Sequence, residues 1–426
     1  MTDFQRPTGT QDVLPDDQAY WRWILATARD VAGRYGCRPI DIPIYEHTEL
    51  FARGVGTGTD IVEKEMFTFR PRPESEQLTL RPEFTAGIMR AYLQNGMGSW
   101  PQPVRLVTFG PVFRYERPQA NRFRQHSQFN VEIIGEADPV VDFEVMSLLW
   151  DYFSALGLTG LRFQLNSIGS PQARRSYVAD VLVPYLERRR AELPEIDIER
   201  LAKNPLRVLD SKEPGMAELL AGAPQIADHL CDDCRDHFAD VRGLLDELDQ
   251  TYTINFRLVR GIDYYTKTVF EVWQEGIGAQ AALCGGGRYD GLAEDIGGPA
   301  TPGVGFGSGI ERIVLGMKEQ GVAPPDVPPP PVYLAHFGGA TKTAASQLAF
   351  RLRAAGIGAR VAFTRRGRSL KSQMREADHH GARYVLIVGG DELAEGVVTA
   401  RLLASGEQTR VPVADLVPWL QSALNA

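Results

Sequence analysis

The stretch at residues 303–312 reads GVGFGSGIER and joins a run of glycines to the start of a helix. Its glycines occupy every second position, which differs from the G-x-G-x-x-G spacing of a dinucleotide-binding loop. Glycine lets a backbone approach a ligand closely, although the run alone could equally be a bulged strand. The pattern that follows predicts a helix beginning near Gly309, which would put Arg312 in its first turns.

The segments around this stretch alternate as strands of an antiparallel sheet do. Within residues 127–134, Phe129, Val131 and Ile133 point to one face, and the other face carries Gln128, Asn130, Glu132 and Ile134. By the strand period of two, Gln128 and Glu132 share a face. Further strands are predicted over 104–109, 111–116 and 161–165, and a helix over 140–156.

A proline-rich segment divides the chain. Residues 323–331 contain six prolines, which predicts a stiff extended linker. Strands and helices alternate after it, which predicts a small α/β domain over 332–426. Residues 171–250 are rich in Arg, Glu, Asp, Leu and Ala, and this composition predicts a helical insertion between a first part at 1–170 and a second part at 251–322.

Charge is distributed unevenly between these parts. The 426 residues include 46 Lys and Arg against 54 Asp and Glu, a net charge of −8. Between positions 326 and 376, however, lie nine basic residues and no acid, among them Arg365, Arg366, Arg368 and Lys371. A basic segment of this kind fits binding to a phosphate backbone, although a solvated helix face would have the same composition.

Composition excludes several classes of protein. Hydrophobic residues make up 43% and charged residues 23%, which is ordinary for a soluble globular chain. No apolar run approaches the roughly 20 residues of a membrane-spanning helix, and residues 1–7 lack the apolar region of a secretory signal. The chain has only four cysteines. They indicate a reducing compartment, so we expect a cytoplasmic protein.

One segment carries metal-ligand residue types at short spacing. His229, Cys231, Cys234 and His237 are all possible zinc ligands, and two cysteines separated by two residues is a known zinc spacing. Four ligands so close in sequence would strain a tetrahedral site, and no second pair lies nearby. We therefore favour the surface of a helix with reduced cysteines and expect no metal here.

Four segments combine arginines, glycines and paired polar residues. They lie at 80–86, 113–132, 258–265 and 303–312. Arginine is permanently charged and forks onto phosphate oxygens through two hydrogen bonds. Carboxylates among arginines suit a substrate with an amino group beside a triphosphate. Each piece alone has a structural explanation, such as a cross-strand pair of Arg114 and Glu116 on the surface, but their joint occurrence favours a binding site.

These segments resemble class II aminoacyl-tRNA synthetases. Residues 113–116, FRYE, are similar to motif 2 of that class, and residues 305–312 are similar to motif 3. Pro43 resembles the motif 1 proline, which lies near a dimer interface in the class. Two stretches, LVRGIDYY at 258–265 and GGGRYDGL at 285–292, closely resemble segments specific to histidyl-tRNA synthetases.

The resemblance implies an α+β fold, in which an antiparallel sheet is flanked by helices. Residues 1–170 and 251–322 would form one catalytic domain, interrupted by the helical insertion, and residues 332–426 would form a C-terminal α/β anticodon-binding domain. Histidine and ATP would give histidyl-adenylate and pyrophosphate, and the histidyl group would then pass to the 3′ end of tRNA(His). Mg²⁺ would accompany ATP, and the protein would be a homodimer.

By the same resemblance, one group of residues would bind histidine. The α-amino group would be held by Glu83, Thr85 and Gln128. The imidazole would be bound by Glu132 and Tyr265, with Tyr264 lining the pocket.

A second group would bind ATP and catalyse the attack. Arg114 and Arg260 would hold the α-phosphate, and Arg312 would contact the γ-phosphate and stack on adenine. Arg122 would support the phosphates, while Glu116 and His126 would lie at the adenine. In the C-terminal domain, tRNA would be bound by Arg365, Arg366, Arg368 and Lys371.

Two places depart from the family pattern. Phe84 stands where the family usually has glycine, and His126-Ser127 stand where it usually has Phe-His. Two alternatives follow, a tRNA-binding paralogue that does not charge tRNA and a non-catalytic relative such as the regulatory subunit of ATP phosphoribosyltransferase. The latter typically lacks the C-terminal domain and part of the arginine and tyrosine set, all of which are present here.

Overall fold

The computed structural model describes residues 4–56, 59–116, 123–248, 250–259, 261–275, 282–363 and 369–425. The chain divides into two compact units, Met1–Pro324 and Pro325–Ala426. Within the described ranges, no helix combines the length and the apolar character needed to cross a membrane.

The first unit contains a large sheet with helices packed against it. Its strands are β1 (Arg38–Pro39), β2 (Tyr45–His47), β3 (Phe67–Phe69), β4 (Leu78–Leu80), β5 (Val104–Phe113), β6 (Gln125–Ile134), β7 (Leu161–Ser167), β8 (Tyr252–Ile254), β9 (Thr266–Gln274), β10 (Ala282–Arg288) and β11 (Gly303–Gly309). Its α-helices are α1 (Gln18–Arg34), α2 (Thr48–Val55), α3 (Thr85–Gln94), α4 (Pro139–Ala155), α5 (Pro171–Ser176), α6 (Val183–Glu187), α7 (Glu195–Lys203), α8 (Met216–Ala221), α9 (Asp232–Glu247), α10 (Leu292–Asp295) and α11 (Ile310–Glu319). Short π-helical turns lie at Ile61–Glu65 and Tyr177–Leu182, and 3-10 turns lie at Met97–Ser99, Arg190–Glu192, Pro205–Asp210 and Ile226–His229.

The described strands of this unit pair into two sheets. The larger has the order β1-β5-β6-β11-β10-β9-β7-β8 and is antiparallel except where β1 meets β5 and β7 meets β8. A small antiparallel sheet has the order β2-β4-β3. In this order β6 and β11 are paired neighbours inside the sheet, although they are far apart in the chain.

Alternation along β6 decides which side chains enter the core. Phe129, Val131 and Ile133 are buried in one hydrophobic cluster with side chains of α1, α4 and α11. Ile134 belongs to a second cluster, which contains α3 and many residues of the predicted insertion. The predicted two-faced strand and the α+β class are therefore confirmed.

One predicted strand boundary is wrong. We expected separate strands at 104–109 and 111–116, but Gly110 and Pro111 do not interrupt the strand, and it ends at Phe113. The structure has a single strand, β5, which pairs with β6 along its length, including Pro111 with Ser127. On its other side, β5 pairs with β1 only at Leu106 and Val107. The missing backbone N–H of Pro111 therefore costs no hydrogen bond to β1 on that edge.

The second unit is the predicted small α/β domain. Its strands are β12 (Val332–His336), β13 (Ala359–Val361), β14 (Tyr384–Val388), β15 (Val397–Leu402) and β16 (Gln408–Pro412), and its helices are α12 (Gly339–Ala354), α13 (Leu370–His379), α14 (Gly390–Glu395) and α15 (Leu416–Asn425). The sheet order is β13-β12-β14-β15-β16, with the first three strands parallel and the last two antiparallel. Both faces of β12 and β14 are buried, as a parallel sheet covered by helices requires.

Candidate active site

A buried carboxylate, that of Glu132, lies at the centre of the first unit. Its side chain projects from β6 and is fully buried. The Thr85 hydroxyl donates to one carboxylate oxygen at 2.6 Å, and the Tyr289 hydroxyl donates to the other at 2.6 Å. Burial raises the pKa of Glu132 to about 8, although these two hydrogen bonds oppose the shift. The group therefore holds its proton more tightly than an exposed carboxyl does.

A second buried carboxylate, that of Glu83, caps the helix that follows it. The backbone N–H groups of Thr85 and Ala86 donate to its two oxygens at 2.5 and 3.0 Å, at the start of α3. Burial raises the pKa of Glu83 against these hydrogen bonds. The Tyr264 hydroxyl lies 3.5 Å from the same carboxylate. Thr85 thus stands between two carboxylates, which it contacts through its backbone and its hydroxyl.

A cluster of three tyrosines adjoins these two carboxylates. The rings of Tyr264 and Tyr265 have centroids 4.8 Å apart, and those of Tyr264 and Tyr289 are 5.7 Å apart. All three side chains are at most 5% exposed. The structure therefore brings together five of the six residues predicted to bind histidine. The sixth, Gln128, lies four residues before Glu132 on the same strand, and its side-chain oxygen is close to Gly307 of β11.

A polar cleft of about 180 Å³ is lined by the described residues predicted to bind ATP. They are Arg114, Glu116, His126 and Arg312, and Gln128 lines the same cleft. Arg114 follows β5, and its Nε donates to the carbonyl of Pro82 at 2.9 Å. Because Pro82 precedes Glu83 in the chain, this bond connects the cleft with the two buried carboxylates. Arg312 lies in the first turn of α11, as predicted, and its Nη1 donates to Ala282 on β10 at 2.7 Å.

The departure at position 126 leaves a neutral ring in the cleft. Burial, together with the charges of Arg114 and Arg312, lowers the pKa of His126 to about 3. The imidazole is therefore uncharged at neutral pH. A neutral aromatic ring can stack on a base without adding a cation beside the arginines.

The departure at position 84 is accommodated in the core. The Phe84 ring is fully buried in the second hydrophobic cluster. The guanidinium of Arg81 lies 4.2 Å from its centroid, and Gly110 on β5 leaves room beside it. Arg81 itself donates to the carbonyls of Ile42 and Pro111 at 2.8 and 2.9 Å. The larger side chain is thus packed between structural elements.

Most of the remaining predicted site residues lie outside the part of the chain that the structure describes. Arg122 and Arg260 lie outside the described residues, as do Arg365, Arg366 and Arg368. Lys371 is exposed on α13 of the second unit.

Two residues of the site had no predicted role. Tyr289, which contacts Glu132, stands within the family-specific stretch 285–292, so the resemblance held a signal for it. The backbone N–H of Ser127 on β6 donates to Glu311 on α11 and is shared between the two carboxylate oxygens, at 2.9 and 3.1 Å. Burial raises the pKa of Glu311 to about 7. An acid at the start of a helix by itself indicates only a favourable helix dipole, but Glu311 lies within the stretch 305–312 that resembles motif 3, so the resemblance held a signal for this position too.

Two of the four possible zinc ligands contact each other, and the two histidines contact other residues. The sulfur atoms of Cys231 and Cys234 lie 3.1 Å apart at the start of α9. His237 instead lies 3.3 Å from the buried carboxylate of Asp142, and the His229 ring packs against Tyr177. Among the residues that the structure describes, no group of three or more His, Cys, Asp or Glu side chains could hold a metal ion.

Comparisons with known proteins point to one family along nearly the whole chain. A family model described as histidyl-tRNA synthetase matches residues 9–313, and one described as an anticodon binding domain matches residues 332–423. The histidine–tRNA ligase of Pelotomaculum thermopropionicum is 48% identical over 422 residues, which cover 98% of each chain. The histidine–tRNA ligase of Desulforudis audaxviator is 49% identical over 416 residues, again 98% of each chain.

A solved structure shows the same similarity. The crystal structure of apo histidyl-tRNA synthetase from S. aureus matches with a TM-score of 0.81 at 33% sequence identity. The match covers 98% of this chain and 99% of that one.

Proposed function

Because the chain belongs to the histidyl-tRNA synthetase family, we propose that its carboxylate pocket binds histidine and that the adjoining cleft binds ATP. The protein is an aminoacyl-tRNA ligase. Its reaction is that of a histidine–tRNA ligase, in which ATP activates L-histidine to histidyl-adenylate with release of pyrophosphate. The histidyl group then passes to the 3′ end of tRNA(His). The alternative of a non-catalytic relative is not favoured, since the full-length relatives that are 44–49% identical are ligases by name.

The observation that carries this proposal is the buried pair of Glu132 and Glu83. Burying a carboxylate is costly unless it is paired, and a histidine molecule supplies what both groups accept. Its α-ammonium group would lie against Glu83, Thr85 and Gln128. Its imidazole N–H would donate to Glu132, beside the Tyr264 and Tyr265 rings. A site that hydrogen-bonds a polar side chain rejects analogues lacking it by large factors, so a separate editing site is not required.

The residues proposed to bind ATP would act by positioning the substrates and by neutralising charge. The carboxylate of histidine would attack the α-phosphate, which Arg114 and Arg260 hold and neutralise as negative charge accumulates. Arg312 would contact the γ-phosphate and stack on adenine, and His126 would stack beside it. Glu116 would lie near the adenine and Arg122 would support the phosphates.

Mg²⁺ would reach this cleft with the triphosphate. The metal favours phosphate oxygens, water and one or two carboxylates, and Glu271 supplies a carboxylate to the cleft wall. Bound there, it would neutralise charge on the phosphates.

The remaining assignments concern organisation and partners. We assign 1–170 and 251–322 to one catalytic domain, 171–250 to a helical insertion, 323–331 to a linker and 332–426 to an anticodon-binding domain. In the last of these, Arg365, Arg366, Arg368 and Lys371 would bind tRNA. The protein would act in the cytoplasm, where tRNA is charged, and as a homodimer with Pro43 near the interface.

The test is histidine-dependent exchange of labelled pyrophosphate into ATP, without tRNA. Exchange with histidine and with no other amino acid is the expected result. If the folded wild-type protein shows no exchange, the assignment of the pocket is wrong.

A further inference from the structure

The segment that carries Tyr264 and Tyr265 is held by a side chain from the insertion. Residues 261–265 precede β9 and lie outside the sheet. The guanidinium of Arg174 donates to two carbonyls of this segment, from Nη1 to Tyr265 at 2.5 Å and from Nη2 to Asp263 at 3.2 Å. One side chain therefore anchors the segment at two points.

The helix that carries Arg174 is itself attached to the sheet. Arg174 lies on α5, where the Ser170 hydroxyl accepts from the N–H of Ala173 at 3.2 Å and Pro171 occupies the first position. The N–H of Lys267, at the start of β9, donates to the carbonyl of Gly169 at 2.9 Å. The base of α5 and the end of the 261–265 segment are thus joined through the backbone. This backbone bond fixes the distance between α5 and the 261–265 segment, which the guanidinium of Arg174 has to span.

Asp263 receives two further contacts. Its backbone N–H donates to the carbonyl of Val55 at 3.0 Å, and its side chain accepts from Asn204 Nδ2 at 3.2 Å. Asn204 also belongs to the insertion and directly follows α7. The insertion therefore contacts the segment from two separate places.

Arginine is suited to this position. Its planar guanidinium presents several N–H groups in a fixed fork and can bind two carbonyls at once, whereas the ammonium of lysine is a single point donor. Burial lowers the pKa of Arg174, and the nearby carboxylate of Asp263 works in the opposite direction. The neighbouring Arg175 lies on the same helix and makes no such bridge to the part of the chain that the structure describes.

Two rings of the proposed histidine pocket belong to the anchored segment. Tyr265 is itself an anchored residue, and Tyr264 lies between the two anchored carbonyls. The Tyr264 ring contacts Tyr265 and Tyr289, and its hydroxyl approaches Glu83. A backbone shift at residues 263–265 would move both rings relative to the two carboxylates.

We propose that Arg174 is a positioning residue of the histidine pocket, through which the helical insertion sets the places of Tyr264 and Tyr265. The inference rests on the proposed function of this pocket. It predicts that removing the bridge weakens binding of histidine much more than binding of ATP, because the described ATP-side residues are held by other contacts, such as Arg114 by Pro82 and Arg312 by Ala282.

The experiment compares Arg174→Ala, Arg174→Lys and the matched control Arg175→Ala in pyrophosphate exchange. KM is measured separately for histidine and for ATP. A misplacement of about 1 Å can cost on the order of 100-fold, so we expect KM for histidine to rise ~10- to 100-fold in Arg174→Ala. Arg174→Lys should show an intermediate rise, and Arg175→Ala should match wild type. KM for ATP should stay within about twofold in all three.

Calorimetric titration of histidine into each variant gives a second measurement, which does not depend on turnover. Equal KM for histidine in Arg174→Ala and Arg175→Ala would overturn the positioning role and leave the proposed function intact. The positioning role would also be overturned if Arg174→Ala raised KM for histidine and KM for ATP alike and lowered the unfolding temperature, since a merely structural role predicts that result. If wild type neither exchanges nor binds histidine, the proposed function fails first and this inference with it.

Discussion

Glu132 and Gly305 stand directly opposite each other on β6 and β11, and a carboxylate oxygen of Glu132 lies 1.8 Å from the place that a β-carbon at position 305 would occupy. The carbonyl of Val131 is also only 2.4 Å from that place. Any side chain at 305 would therefore displace either the strand or the carboxylate. Glycine at this position is what allows Glu132 to meet Thr85 and Tyr289.

Gly305→Ala is accordingly expected to damage the proposed histidine pocket. Overpacking of this kind typically costs about 1–3 kcal/mol of stability, and displacement of Glu132 should raise KM for histidine at least ~10-fold. Pyrophosphate exchange and denaturant unfolding measure the two effects. Gly291→Ala is the matched control, because a β-carbon there would have no neighbour within 4 Å. Identical histidine KM values in the two variants would contradict the role of the close approach.

The raised pKa of Glu132 predicts a pH dependence of stability. Its pKa rises from the ordinary 4.5 to about 8 in the folded protein. Between these values the unfolded chain has released a proton that the folded chain keeps, so the stability contributed by this group is full below about pH 4.5 and is lost as the pH rises towards 8. Glu132→Gln has no carboxyl group at this position, so its stability does not show this decrease between pH 4.5 and 8. Its free energy of unfolding relative to wild type should therefore increase from pH 5 to pH 8.

Denaturant unfolding at several pH values measures this difference. Glu319→Gln, which changes an exposed side chain on α11, controls for the substitution itself. A difference between Glu132→Gln and wild type that stays constant across the range would mean that Glu132 ionises normally when folded.

Much of this arrangement was predictable from local pattern, and some of it was not. The alternation in 127–134 predicted β6, and the pattern after Gly309 predicted the start of α11, because these signals are local. A strand at β11 was only one of two interpretations of the glycine run. The Glu132 contacts join residues 47 and 157 positions apart in the chain, and no local periodicity reports such distances. Only resemblance to a family assigned Glu132 to a pocket. The continuous strand β5 was not predicted, because β5 can contain Pro111 only where β1 is too short to pair with it, and the local sequence does not show how far β1 extends.

A buried ion pair supports the strand that leads to Tyr289. Arg288, fully buried at the end of β10, bonds to Asp142 on α4, and His237 on α9 lies 3.3 Å from the same carboxylate. Burial opposes the charge of Asp142, but the His237 bond and the Arg288 charge outweigh it and lower its pKa. Removing one partner of such a pair leaves a buried charge uncompensated.

We therefore expect Asp142→Asn to lower the free energy of unfolding by about 3–5 kcal/mol. Asp151→Asn, an exposed position on the same helix, is the control and should cost much less. Denaturant titration of both variants checks the prediction. A decrease below about 1 kcal/mol, the size of an exposed pair, would show that the network adds little.

Arg260→Ala should abolish adenylate formation. The family resemblance gives Arg260 the task of neutralising the α-phosphate during attack, which is needed only in the transition state. Histidine-dependent pyrophosphate exchange should therefore be lost, while affinity for tRNA, measured by filter binding, stays nearly intact. The exposed Arg257 provides a control three residues upstream, and Arg257→Ala should retain exchange. Exchange at the wild-type rate in Arg260→Ala would remove the assigned role.

Neutralising the basic residues of the second unit should weaken tRNA binding through counterion release. Each phosphate that a basic side chain neutralises contributes roughly 0.7 to 0.9 to the slope of log affinity against log salt concentration. Changing Arg365, Arg366, Arg368 and Lys371 to glutamine should therefore lower affinity and flatten that slope by about 1 for each phosphate that is no longer neutralised. Arg410→Gln, an exposed site on β16 whose arginine pairs with Glu395, is the control for charge alone. If the fourfold variant keeps both the affinity and the slope of Arg410→Gln, the basic segment is only a solvated surface, and tRNA must be bound elsewhere.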